Sequence, residues 1–137
     1  SVQQIVQAKR GEDVELGSGE VLPNETITYR PYGVLSYAYC SDTNYSARAA
    51  ERVHGVDLLY HEATYSAELG STAKERGHST TADAAKVATK AEAKRLIIGH
   101  FSSRYKEPER LLEECRAIFE NSYLASEGET FYIEEVR

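Results

Sequence analysis

Three short apolar runs set the pattern of the chain: VLSYAYC at 34–40, VDLLY at 56–60 and RLIIG at 95–99. Runs of this length, bounded by turn residues, are the pattern of strands buried in a sheet. Between them the apolar period becomes helical. Ser46 caps a helix predicted over 47–53, and His54-Gly55 closes it. A polar helix is predicted over 67–76, and Thr80 or Thr81 caps a longer one over 82–93. Its alanines and Val87 form a small-residue face suited to close packing on a sheet. Pro108 opens a helix over 109–121, with Leu111, Leu112, Cys115, Ile118 and Phe119 at helical spacing. Before the first run lie a short helix over 2–8 and a hairpin around Gly17-Ser18-Gly19, pairing 13–16 with 20–22. A turn at 23–25, a short strand over 27–29 and a break at Pro31 complete that region. After the last helix, strands are expected over 122–125 and 130–136, either side of Glu127-Gly128.

Strand alternating with helix implies a mostly parallel sheet with crossover helices, an α/β fold. In such sheets ligands collect beyond the carboxyl ends of the strands. Those ends here are Ser41-Asp42-Thr43, His61-Glu62-Ala63-Thr64 and His100, and the loop before the long helix adds Gly77-His78-Ser79-Thr80. Parallel strands would bring Asp42, His61 or Glu62, and His100 to one rim.

The bulk properties narrow this picture. At 137 residues there is room for one ordinary domain. With 41% hydrophobic and 28% charged residues, the composition is that of a soluble globular protein. No apolar run approaches the roughly 20 residues of a bilayer span, and the first ten residues lack a signal-peptide pattern. Cys40 and Cys115 are isolated, which points to free thiols in a reducing, cytoplasmic setting and excludes a CxxC metal knuckle. A net charge of −6 argues against holding nucleic acid by overall charge, though not against a local basic patch.

Each candidate residue has an ordinary structural reading beside its chemical one. Asp42 can cap a turn or ligate a metal, because a carboxylate can bridge two cations. His100 can bond a backbone carbonyl or bind the same metal. Glu62 and His78 can shape turns, or form an acid pair in which the carboxylate fixes the imidazole tautomer while the other nitrogen moves a proton. His54 reads as a solvated helix-end residue.

Four motifs in order change the weighting: SDT at 41–43, HEAT at 61–64, GHST at 77–80 and GHFSSRY at 99–105. With KRGEDVELGSGEVL at 9–22, the set resembles the C-terminal half of ribonuclease Z, the tRNA 3′-processing endonucleases of the metallo-β-lactamase superfamily. The resemblance implies that Asp42 matches the aspartate bridging two zinc ions and His100 the last histidine ligand. It implies that Glu62 and His78 match the pair protonating the leaving oxygen. Arg104 fits a phosphate contact, since guanidinium grips phosphate with two donors. The implied fold is half of an αββα sandwich, with a mostly parallel or mixed sheet, flanking helices and a single domain over 1–137. The implied reaction is zinc-dependent phosphodiester hydrolysis that removes 3′ trailers from precursor tRNA, by a cytoplasmic homodimer. Two other readings remain beside it: a different hydrolase of the same superfamily, and a non-catalytic α/β domain.

The match is incomplete. The family's HxHxDH signature, its further histidine ligand and its substrate-clamping arm are not in this sequence, and there is no methionine. The expectation is therefore a C-terminal portion that is catalytically silent and a poor metal binder by itself. Its uncovered sheet face would favour self-association.

Overall fold

The computed structural model describes residues 1–29 and 33–133. The chain divides into two compact units, 1–34 and 35–137.

In the first unit, α1 (Val2–Lys9) begins at Ser1, whose hydroxyl and the Gln4 side chain satisfy each other's backbone N–H in a capping box. The strands β1 (Val14–Glu15) and β2 (Val21–Leu22) pair antiparallel, as the glycine turn predicts. A strand expected over 27–29 does not form. Residues Asn24–Ile27 instead make a single helical turn, α2. Its organiser is Asn24, whose side-chain amide donates to the carbonyls of Ala8 (2.7 Å) and Glu12 (3.0 Å) while its N–H donates to Asp13 (2.8 Å). Those tertiary bonds override the local β preference of Ile27 and Tyr29. The break expected at Pro31 falls outside the described residues.

The second unit is the sheet. Its strands are β3 (Tyr37–Cys40), β4 (Leu58–Glu62), β5 (Leu96–Gly99) and β6 (Ser122–Leu124), all parallel and in sequential order. Between them run α3 (Ala47–Arg52), a 3₁₀ turn (Ala67–Leu69), α4 (Gly70–Arg76), α5 (Thr81–Lys90) and α6 (Glu109–Arg116). Sequential order with crossovers of one hand places the crossover helices on one face. There α3, α5 and α6 bury Ala50, Ala84, Val87, Ala88 and Cys115 against Leu59, Leu96 and Ile98. The alanines of α5 let its backbone approach closely. Leu59 and Leu96 are fully buried.

The opposite face carries Tyr37, Tyr39, Tyr60, Ile97 and Tyr123 by strand alternation. Tyr37, Tyr39 and Tyr123 are exposed. The chain after β6 turns at Glu127-Gly128 and returns over part of this face, with Phe131 and Ile133 lining a hollow of about 340 Å³ beside Leu58, Tyr60 and Ile97. Arg95 donates to the Tyr132 carbonyl at 3.0 Å. This return is irregular over 130–133 rather than a strand, and the rest of the strand expected over 130–136 lies outside the described residues. No helix among the described residues is long and apolar enough to cross a membrane.

At the amino ends of the strands, Asp57 ties the sheet together. It accepts from Lys94 Nζ (2.6 Å) and from the Ser36 N–H (2.7 Å) and hydroxyl (2.8 Å). The Lys94 ammonium, with Ser36, holds its pKa at about 2. The stabilisation is therefore complete above the ordinary aspartate range and fades only as pH falls toward 2.

At the carboxyl ends, Gly99 lies under the Tyr60 ring, which stacks on Tyr39 with centroids 4.5 Å apart. A Cβ on Gly99 would meet the Tyr60 hydroxyl oxygen at 2.5 Å. Gly99→Ala should therefore overpack this corner and cost about 1–3 kcal/mol, read as a lower urea midpoint at unchanged slope. An unshifted midpoint would mean that the ring moves aside freely.

Candidate metal and acid–base site

Both outer strands of the β3–β4–β5 group leave the sheet through a left-handed residue. Asp42 has φ +50° and His100 φ +60°. Aspartate and histidine tolerate that region better than most residues, and such strain gathers at functional sites. Glu62 is the last residue of β4, two beyond the tyrosine where VDLLY ends, so the strand runs further than its apolar residues predict. Gly77, at φ +77°, closes α4, and the His78 N–H caps the Ala73 carbonyl at 2.9 Å. Thr80 then pairs with Tyr65 in a parallel bridge, bringing His78 to the same rim.

Asp42, Glu62, His78 and His100 meet there. One ligand-capable atom from each lies within 4.8 Å of all the others. The shared rim expected from parallel strands is therefore present, with one refinement. His61 points to the helix-covered face, fully buried, with Nδ1 2.7 Å from the Glu62 carbonyl. Burial lowers its pKa and keeps the ring neutral.

Glu62 is the hub. It is fully buried, and its carboxylate accepts from the Thr43 N–H (2.7 Å), His78 Nδ1 (2.9 Å), the Thr64 hydroxyl (2.6 Å) and the Ser79 N–H (3.1 Å). Burial pushes its pKa up, but the bonds from Thr64, His78 and the two backbone amides outweigh it and hold the carboxyl below its ordinary value. Glu62 is therefore an ionised carboxylate whose oxygens are already occupied.

The donors left open are different. The Asp42 side chain is 77% exposed and lies 3.6 Å, by Oδ1, from His100 Nε2. Two ligands of one tetrahedral zinc at about 2.1 Å stand roughly 3.4 Å apart, so this pair fits a metal without rearrangement. A four-coordinate ion needs further donors, and Glu62, saturated with hydrogen bonds, is poorly placed to be one.

Around this centre, the Tyr65 ring meets His78 edge-on with centroids 6.3 Å apart, and the Arg104 guanidinium lies 5.2 Å over Tyr65. Arg104 is thus two aromatic steps from Glu62. A groove of about 580 Å³ opens beside His78, lined by Asn44, Tyr45, Lys74 and Lys86. Among the described residues neither lysine is in an ion pair, unlike Lys90 with Glu51 and Lys94 with Asp57. His54, by contrast, is an exposed side chain 4.0 Å from Glu92, remote in role from the rim.

A family model described as "Beta-lactamase superfamily domain" matches residues 8–101. The chain belongs to the beta-lactamase superfamily. Within that superfamily it is 44% identical over 127 residues to a ribonuclease Z of Bacteroides thetaiotaomicron, covering 93% of this chain and 40% of that protein. It is 45% identical over 137 residues to a ribonuclease Z of Cytophaga hutchinsonii, covering 98% and 44%. The chain thus spans about two-fifths of the length of these relatives. The fold matches the metallo-beta-lactamase fold protein YhfI of Bacillus subtilis at a TM-score of 0.57 and 23% identity, over 63% of this chain and 35% of that one. The parallel sheet with flanking helices is accordingly a superfamily element, as the motif resemblance implies.

Sequence reasoning brought out Asp42, Glu62, His78, His100 and Arg104, and the first four converge. It passed over Thr64, Ser79 and the Thr43 N–H as binding partners of Glu62. A signal for Thr64 existed: it stands two residues after Glu62, the spacing that keeps two side chains on one face of an extended segment.

Proposed function

We propose that this chain supplies part of the active site of a zinc-dependent endoribonuclease that removes 3′ trailers from tRNA precursors. One observation carries the reading: a saturated, ionised Glu62 holding His78 Nδ1, beside an open Asp42–His100 pair at the same strand ends. Its ribonuclease Z relatives, 44–45% identical over about two-fifths of their length, support an RNA substrate.

In this reading Asp42 and His100 hold metal, and zinc, when bound, supplies Lewis-acid charge at the phosphodiester. Glu62 fixes the Nδ1 proton of His78, so that Nε2 is the atom that delivers a proton to the departing ribose oxygen. Arg104 contacts a phosphate. Lys74 and Lys86, against the single carboxylate of Asp83, give an otherwise acidic chain a groove of local positive excess for the RNA backbone. The missing donors and the HxHxDH signature belong to the rest of the active site, so the 137 residues alone are proposed to be silent. The same reading includes a second metal, a cytoplasmic location and a homodimer; the exposed Tyr37–Tyr39 edge supports self-association.

The test incubates the natural full-length protein and zinc with a precursor tRNA and with a small phosphodiester. Cleavage at the 3′ trailer supports the proposal. Hydrolysis of the small ester alone would reassign the protein to another hydrolase of the superfamily, and no turnover of either would favour a non-catalytic domain.

A further inference from the structure

The Thr64 hydroxyl makes three close approaches: to Glu62 Oε2 at 2.6 Å, the His100 carbonyl at 2.9 Å and His100 Nδ1 at 3.0 Å. A hydroxyl has one hydrogen to give. The charged carboxylate, at the shortest distance, takes it in preference to the neutral carbonyl. Only the lone pairs of the hydroxyl oxygen then remain for His100. This assignment already leaves one lone-pair contact, with the His100 carbonyl at 2.9 Å; an unprotonated Nδ1 would add a second at 3.0 Å, whereas a hydrogen on Nδ1, donated to the hydroxyl oxygen, turns that contact into a bond. In the neutral ring that leaves Nε2 bare, and Nε2 is the atom 3.6 Å from Asp42.

We infer that Thr64 is a positioning residue that fixes the His100 tautomer, relaying the Glu62 carboxylate so that one buried acid sets both imidazoles of the site. His78 is set directly, through Nδ1 at 2.9 Å, and His100 through the hydroxyl. The two rings stand 5.3 Å apart, each with Nδ1 turned to this internal network. Without the hydroxyl, nothing among the described side chains holds a hydrogen on His100 Nδ1. The site would then lose the outer-sphere hydrogen bond that usually orients a metal-binding histidine.

This inference deepens the metal-site reading and depends on it only for its consequence. The tautomer can be measured with neither metal nor RNA, so failure to cleave tRNA and failure of this inference are separate results. The experiment is ¹⁵N–¹H correlation of the imidazoles in metal-free full-length protein, about two units above the ordinary histidine pKa of about 6.5. In the parent protein His100 Nδ1 should show the pyrrole-type shift and Nε2 the pyridine-type shift. Thr64→Val should invert or mix them at His100 while leaving His78 unchanged, and Thr64→Ser should retain the parent pattern. Zinc affinity should fall roughly tenfold or more in Thr64→Val and recover in Thr64→Ser. A parent protein with the proton on Nε2 overturns the inference without any variant. So does a Thr64→Val protein that keeps Nδ1–H, or a Thr64→Ser protein that loses it.

Discussion

Replacing His78 by alanine in the full-length protein should cut turnover of precursor tRNA at least about a hundredfold, the lower end of what a positioned general acid contributes. The expectation follows from where the ring's two nitrogens point. Nδ1 is engaged by a carboxylate that is buried, ionised and fed by three other donors, so its hydrogen is not free to leave. Nε2 has no hydrogen-bond partner among the described residues. In the proposed mechanism proton traffic therefore passes through Nε2. Metal content should hold, because His78 Nδ1 is bound to Glu62 at 2.9 Å and stands 4.0 Å from Asp42 Oδ1, farther than the 3.6 Å of the Asp42–His100 pair. The loss should shrink for a substrate whose leaving oxygen is acidic enough to depart unprotonated, such as a nitrophenyl phosphodiester. Parent-like turnover of precursor tRNA by His78→Ala, at equal zinc content, would remove the residue from the mechanism.

That the shared rim could be read at all rests on topology. Buried apolar runs identify strands, alternating helices make them parallel, and parallel strands deliver their next residues to one edge. Asp42, His61 or Glu62, and His100 follow from that chain of reasoning alone; the motif resemblance picks Glu62 of the two and adds His78. What the apolar pattern does not record is the end of β4. Polarity marks His61 and Glu62 as loop, yet both are fully buried in the strand. Glu62 can be buried because four donors surround it, and His61 because the Glu62 carbonyl takes Nδ1 while the neutral ring leaves Nε2 without a partner among the described residues; no local window of sequence contains Thr43, His78 or Ser79. The same blindness to distant bonds explains residues 24–27, where Asn24 closes a helical turn through partners 16 and 12 positions away. The helix over 109–121 is legible in kind but stops at Arg116, because Ser122 takes over the Phe119 carbonyl (2.6 Å) and Arg116 the Ser122 carbonyl (2.9 Å) to start β6.

Asp42→Ala should act on the metal instead of the proton. Asp42 is the most exposed member of the cluster, and its nearest approach to the Glu62 network is 4.0 Å to His78 Nδ1, so the variant should fold, with an unfolding midpoint lowered only by the cost of an alanine at φ +50°, about 1–2 kcal/mol. Removing a partner outside the coordination sphere typically costs a metal site 10–100-fold in affinity, and removing a ligand should exceed that. Zinc titration of the full-length variant should therefore show weaker binding by more than about a hundredfold, with turnover lost in proportion to the metal and partly restored by excess zinc. His78→Ala should not respond to added zinc, and this contrast separates the two roles. If Asp42→Ala binds zinc like the parent, its carboxylate is an ordinary turn residue at the end of β3, and the proposed metal centre loses one of the two donors this chain offers it.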